Sequence, residues 1–158
     1  MDAMSLQRLS HRLYLKRIPI LPGIINRWIH FRYNSDLSPV TEVGGGTRLG
    51  HGGIGVVVNS RAKIGRNCIL GQNTSIAGKD GDTPTLGAWV YVGHGSIVLG
   101  KVNIGNNVFI GALSLVNKDM PDNAIVAGIP AKVIRIKTDE EVEKWHQWVL
   151  NNGGKPIQ

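Results

Sequence analysis

The 158-residue sequence has little of what usually staples or anchors a chain. Its single cysteine, Cys68, excludes a disulfide framework and a cysteine metal site. Aromatic residues are 6% of the chain, so any core is built from aliphatic and small side chains. No hydrophobic run approaches the length needed to cross a bilayer. The apolar IPILPGII at 18–25 is short and interrupted by prolines, so no cleavable signal peptide is legible and the expected location is cytoplasmic. Of five histidines only His51 and His94 lie outside the flanking segments, too few for a three-histidine zinc site, and no metal is expected.

Glycine and positive charge are abundant. The net charge is +7, and six Lys/Arg of residues 1–36 face only Asp2 and Asp36. Such a surface suits a polyanion: nucleic acid, anionic lipid or a phosphorylated cofactor. No nucleic-acid motif appears and no aromatics interleave with basic residues on strands, so a phosphorylated small molecule is preferred and no nucleic-acid partner is expected. Two roles stay open for Arg8, Arg12, Lys16, Arg17, Arg27 and Arg32 with their interspersed Leu, Ile and Trp: peripheral contact with anionic lipid, or a helix packed on the fold with its charges in water.

The twenty-one glycines belong to a repeat with a period of six. Val58, Ile64, Leu70 and Ile76 follow it, and so do Leu86, Val92, Val98, Ile104, Ile110 and Val116. The two runs are ten residues apart, which places a four-residue insertion in GKDGDTP at 78–84. Small or β-branched residues recur four positions after each aliphatic, Cys68 among them, and glycine often follows the aliphatic directly. Neither a helix nor a simple strand has this period. A short strand with a sharp corner does; three hexads form one triangular coil with aliphatics stacked inside and glycine or asparagine at left-handed corners. Cys68 then reads as a small core filler.

The ends differ from the repeat. Residues 5–33 read as one or two short helices broken at Pro19 and Pro22, with Leu9, Leu13, Leu15, Ile24, Ile25, Trp28, Ile29 and Phe31 as their apolar set. KTDEEVEKWHQWVLNNGG carries a capping box from Thr138 to Glu141, one face of Val142, Trp145 and Val149, and Gly153 near its stop. The expected organisation is a helical segment at 1–35, a β domain at 36–136, and a helix with tail at 137–158.

Repeat and closing stretch, MPDNAIVAGIPAKVIR at 120–135, resemble the hexapeptide-repeat acyltransferases. The resemblance implies an all-β fold, a left-handed parallel β-helix working as a homotrimer with active sites between subunits, and acetyl-CoA as co-substrate. The block DLSPVTEVGGGTRLGH at 36–51 is similar to the serine acetyltransferase branch without a gap. It implies that His51 is the general base and Asp36 the carboxylate that orients it, sound chemistry for a hydroxyl attacking a thioester. Carried over in the same way, the coenzyme would lie against Gly78, Gly93, His94, Gly111 and Ala112, its phosphates near Lys132, Arg135 and Lys118, with the Gly78 amide as oxyanion donor. His94 stands where that branch usually has alanine, so a role toward the acceptor is also open.

Two acceptor positions depart from the branch: Gly50 replaces an aspartate, and Thr83 replaces a second histidine. A free amino acid needs charged partners, so these losses lead to an expectation of a sugar or surface-polysaccharide acceptor. Serine O-acetylation and a non-catalytic trimeric scaffold are the alternatives. The glycines of LGHGGIGVVVN at 49–59 are not a phosphate cradle, since no lysine–serine pair follows. They read as a bend, nine residues from Leu49 to Val58 instead of six, that turns His51 toward a subunit cleft.

Overall fold

A computed structural model of the chain describes residues 2–152. Two helices, α1 (Ala3–Leu15) and α2 (Leu21–Tyr33), lead into a prism of two- and three-residue parallel strands. One face stacks β1 (Asp36–Leu37), β4 (Val57–Val58), β7 (Ser75–Ala77), β10 (Ile97–Leu99) and β13 (Leu115–Val116). A second stacks β2 (Glu42–Val43), β5 (Lys63–Ile64), β8 (Thr85–Leu86) and β11 (Asn103–Ile104). The third stacks β3 (Arg48–Leu49), β6 (Ile69–Leu70), β9 (Tyr91–Val92), β12 (Phe109–Ile110) and β14 (Ala124–Gly128), closed by the antiparallel β15 (Ala131–Ile136). A final helix, α3 (Asp139–Asn151), follows; Gly153, expected near its stop, lies outside the described residues.

The hexad aliphatics are the inward residue of each strand. Ile76, Val92, Val98, Ile110 and Val116 are completely buried, as are the small fillers Cys68, Thr74 and Ser96. Each such aliphatic contributes about 1.5–3 kcal/mol relative to exposure. Burial pushes the Cys68 thiol up to about 11, with its Sγ toward the Gly87 carbonyl at 3.2 Å, as suits a filler rather than a nucleophile. Asn67, Asn73, Asn107 and Asn123 hold positive φ at corners, but so do Trp89 and Leu113. The glycines after the aliphatics have another cause. A Cβ on Gly65 would lie 2.3 Å from the Gly87 carbonyl oxygen, so coils touch there too closely for any side chain.

The three outer faces differ. The second shows water only polar residues, Glu42, Lys63, Thr85 and Asn103. The third carries Tyr91 and Phe109 and is roofed by α3. Trp145 donates its indole N–H to the Trp89 carbonyl at 2.8 Å, and His146 stacks on Trp89 at 4.1 Å. Arg48 donates to the carbonyls of Val149 and Asn152 at the negative end of α3. On the first face Val57 and Ile97 point outward, 42% and 41% exposed, and no helix among the described residues covers them.

The N-terminal helices cap the first coil. Gln7 donates to the carbonyls of Ser38 and Thr41, and Arg8 to those of Gly44 and Thr47, satisfying carbonyls at the open end of the prism. The expected apolar set is corrected here. Ala3, Met4, Gln7, Ser10, Pro22 and Ile29 are the buried residues of the hairpin, whereas Leu9, Leu15, Ile24, Trp28 and Phe31 are exposed. Small and polar side chains let α1 approach the coil backbone, which larger aliphatics would hold away. Pro22 does not break a helix; it sits in the first turn of α2, where its missing N–H is harmless.

Shortening a ladder residue tests the stack. Ile110→Ala is expected to lower unfolding free energy by about 2–5 kcal/mol, measured by chemical denaturation with helix content unchanged before the transition.

Candidate functional site

Successive coils pair Asp36 with Val57, Val57 with Ser75, Ser75 with Ile97 and Ile97 with Leu115, steps of 21, 18, 22 and 18 residues. Eighteen is the plain coil. The two longer steps mark insertions, and both fall at corners that bear candidate site residues.

The first insertion is a short 3-10 segment, Gly50–Gly53, kinked at His51 and Gly52, between the third face and the first. The plain corner position of this coil is Ile54, whose carbonyl accepts from Asn73 N just as those of Gln72 and His94 accept from Gly95 N and Leu113 N. His51 is therefore an extra residue pushed out of the coil, exposed, and held at φ 48° and ψ 37°. That left-handed backbone is uncommon for a side chain with a Cβ, and the surrounding glycines at 52, 53 and 55 share it. The turn is tied down from below: the Ser35 hydroxyl donates to the Gly53 carbonyl and accepts from Val56 N at 2.9 Å.

The displaced ring comes to rest beside His94, centroid to centroid 5.9 Å. Two coils would otherwise separate these positions by about 9.6 Å, twice the strand spacing. His94 is fixed by crowding rather than by bonds. Its Nδ1 is buried with no hydrogen-bond partner among the described residues, and a Cβ on Gly71 would lie 2.6 Å from it. Gln72, on the coil between, likewise has Oε1 buried and unpartnered. Sequence reasoning passed over Gln72; its place at the hexad corner between the two histidines was the signal. Buried unpaired polar atoms carry a desolvation penalty, and here three polar side chains gather along one edge of the prism.

Asp36 lies elsewhere on the first face. Its side chain is exposed and makes no hydrogen bond to His51; it lines a groove of about 580 Å³ with Ser38, Asn59, Ala77 and Gly78. The second insertion borders the same groove. It folds as a tight hairpin, Lys79 and Asp82 exchanging backbone hydrogen bonds across Asp80 (φ 51°) and Gly81 (φ 89°). A Cβ on Gly78 would fall 2.9 Å from Asn59 Nδ2 and from the Asp82 carbonyl oxygen, so bare backbone is required there. Thr83 donates to the Arg61 carbonyl at 3.2 Å, which ties the insertion to the coil below.

The remaining candidates are dispersed. Gly93 and Gly111 have packing reasons, since a Cβ on either would crowd the next coil at 2.5 Å from Ala112 N and 3.0 Å from Ala127 Cβ. Ala112 is exposed at the same corner as His94. Lys118 and Lys132 are exposed toward the C-terminal end of the prism, with no ion pair among the described residues. Arg135 is engaged: both guanidinium nitrogens donate to Glu141, at 2.8 and 2.5 Å, and this holds the Glu141 carboxyl down at about 2. Gly50 is buried, but a Cβ there would meet nothing nearer than 3.4 Å, so the missing side chain is not excluded by space.

No family model matches the sequence. Individual proteins do. A serine acetyltransferase of Helicobacter pylori is 31% identical over 136 residues, covering 84% of this chain and 79% of that protein. One from Synechococcus elongatus is 35% identical over 137 residues, 84% of this chain and 56% of its own length. Among solved structures, a Neisseria gonorrhoeae serine acetyltransferase in complex with serine superposes with TM-score 0.78 at 31% identity, covering 84% of this chain and 55% of that one. A serine acetyltransferase in complex with CoA gives 0.76 at 26%, with coverages of 84% and 55%. The chain thus spans little more than half of several relatives.

These relatives overturn the expectation of a sugar or polysaccharide acceptor, including a glycan partner. That reading rested on what Gly50 and Thr83 lack, whereas most of the chain matches serine acetyltransferases. Two absent side chains weaken one mode of binding an amino acid; they supply no contact to a sugar.

The crowding at His94 is testable. Gly71→Ala is expected to destabilise the fold by about 1–3 kcal/mol and to shift the His94 ring resonances in heteronuclear NMR spectra. Unshifted resonances would show that Gly71 does not hold that ring.

Proposed function

The chain belongs to the serine acetyltransferase family, and from that premise we propose that it transfers acetyl from acetyl-CoA to the hydroxyl of serine, with His51 as general base. The observation that carries this reading is the inserted 3-10 turn, which takes His51 out of the coil and sets it beside His94. Imidazole is the side chain able to accept a proton near pH 7. His51 takes the hydroxyl proton as the serine oxygen attacks the acetyl carbonyl carbon; the C–S bond breaks, and the leaving thiolate recovers the proton from the imidazolium. Asp36, on the adjoining face and without a hydrogen bond to His51 in this structure, is the carboxylate that the resemblance assigns to steady that imidazolium.

The residues present fit acetyl-CoA as co-substrate. The groove beside Asp36 has a floor of bare backbone at Gly78, polar atoms from Asn59 and Ser38, and apolar wall from Val57, a mixture suited to an amide-and-methylene chain. Lys118 and Lys132 are the cations free for its phosphates, with Arg135 held by Glu141. The Gly78 amide is the candidate donor to the developing oxyanion. The working assembly is proposed to be a homotrimer. Among the described residues the first face carries uncovered apolar side chains at Val57 and Ile97 and adjoins the His51 corner, so a subunit packed there would wall the site.

Gly50 sets the expected substrate affinity. Without a carboxylate next to His51 the serine ammonium loses a partner, and a high KM for serine follows. The test is turnover of purified protein with acetyl-CoA and L-serine, following thiol release and the mass of O-acetylserine. Release of CoA with serine is expected, and its absence at any serine concentration would overturn the reading. His51→Ala is expected to cut kcat by at least about a thousandfold while leaving the unfolding midpoint unchanged. Gly50→Asp, at a position that takes a Cβ without a clash, is expected to lower the KM for serine by about tenfold.

A further inference from the structure

The hairpin of α1 and α2 caps the prism with one side and presents the other to solvent. Its outward side is apolar and basic. Leu21, Ile24, Trp28 and Phe31 are all exposed, Trp28 at 54% and Phe31 at 82%, and at about 100° per residue they share an arc of about 80° on α2. Arg27 and Arg32 flank that stripe on either side, while Ile29 and Pro22 point the opposite way, into the protein. The turn between the helices continues the pattern. Lys16 and Arg17 are exposed beside Leu15, and Ile20 is 78% exposed at φ 68°, a strained backbone for a β-branched residue. From residue 3 to 35 there are six Lys/Arg and no Asp or Glu. Of the two acids that border this segment, Asp2 caps α1 through Ser5 N and Asp36 lines the groove on the first face.

We propose that this hairpin is a peripheral docking surface for an anionic lipid bilayer, with Trp28 and Phe31 in the interface and the arginines at the headgroups. Aromatic and aliphatic side chains on a short stripe with cationic flanks match the chemistry of that boundary. No helix among the described residues is long and apolar enough to cross a membrane, so the contact lies on the surface. A two-fold contact between copies through this patch is disfavoured, because it would set arginine against arginine with no acidic side chain on the hairpin to answer it. The proposal is independent of the acetyl transfer proposed above, and its test does not use turnover.

The test is co-sedimentation of the full chain with phosphatidylcholine vesicles, with and without about one-third phosphatidylglycerol. Binding to the anionic vesicles is expected, at least about tenfold tighter than to neutral ones, and weakened by added salt. Trp28→Ser with Phe31→Ser is expected to reduce that binding at least about tenfold with oligomeric mass and circular dichroism unchanged, both side chains being more than half exposed. Arg27→Glu with Arg32→Glu is a second variant, expected to lose the preference for anionic over neutral vesicles. Absence of binding to anionic vesicles would overturn the proposal, as would binding indifferent to both variants. A drop in oligomeric mass in the serine variant, with no vesicle binding by the wild type, would assign the stripe to a contact between copies instead.

Discussion

Every coil must lay its backbone hydrogen bonds on the coil before it, and the rest of the structure depends on that parallel register. Strands of two residues cannot stand alone; the ladder Asp36–Val57–Ser75–Ile97–Leu115 holds because each pair is repeated on two other faces in step. An extra residue inside a strand would turn an inward aliphatic outward through every later coil. Extra residues are tolerated only at corners, where they leave the ladder without shifting it. That is where chemistry becomes possible. The first insertion displaces His51 from a rigid frame, and the second forms the bare-backbone lip at Gly78. The left-handed turn is held by Ser35 below it and by the coil above, whose Asn73 N–H donates to the Ile54 carbonyl.

The same register leaves two open ends and three faces to manage. The first coil has carbonyls with no preceding strand, and Gln7 and Arg8 reach down from α1 to meet them. This explains why a buried glutamine is more useful on α1 than another leucine would be. At the far end β15 turns back antiparallel on β14, and α3 folds over the aromatic face with Trp145 as its pin. With these devices in place, the first face and the outer side of the hairpin both keep exposed apolar residues, with different chemistry around them. The first carries Asp36 and lies beside the site; the second is flanked by arginine and at the end of the prism.

The period of six made the prism legible, because a spacing that fits neither helix nor plain strand leaves few alternatives. The insertions were legible too, as breaks of phase between Leu49 and Val58 and at 78–84. The hairpin was not. Leucine and isoleucine at helical spacing read as core by default, yet on α1 and α2 the contact with the coil is made by Ala3, Met4, Gln7 and Ile29. The glycines after the aliphatics were read as corner formers, whereas their cause is the nearness of the next coil, a distance no single sequence displays. The His51–His94 approach was hidden for a related reason: 43 positions apart, the two meet only because three inserted residues fold back along the edge.

Gly50 carries the remaining tension, and its geometry resolves part of it. Had its Cβ collided with the coil below, glycine would be a structural necessity and would say nothing about substrate. Instead the nearest atom to that Cβ is Gly71 Cα at 3.4 Å, an ordinary contact, and no positive φ is imposed. The carboxylate is therefore missing by choice of residue rather than by constraint of fold. At the next coil a Cβ on Gly71 would lie 2.6 Å from His94 Nδ1 and 2.8 Å from its backbone N, so that glycine is fixed by the approach of the coil whatever side chain stands at 94. One polar group is absent at coil one and another is present at coil three, on the same edge. The unpaired polar atoms of that edge belong to Gln72 and His94, above the turn that carries His51.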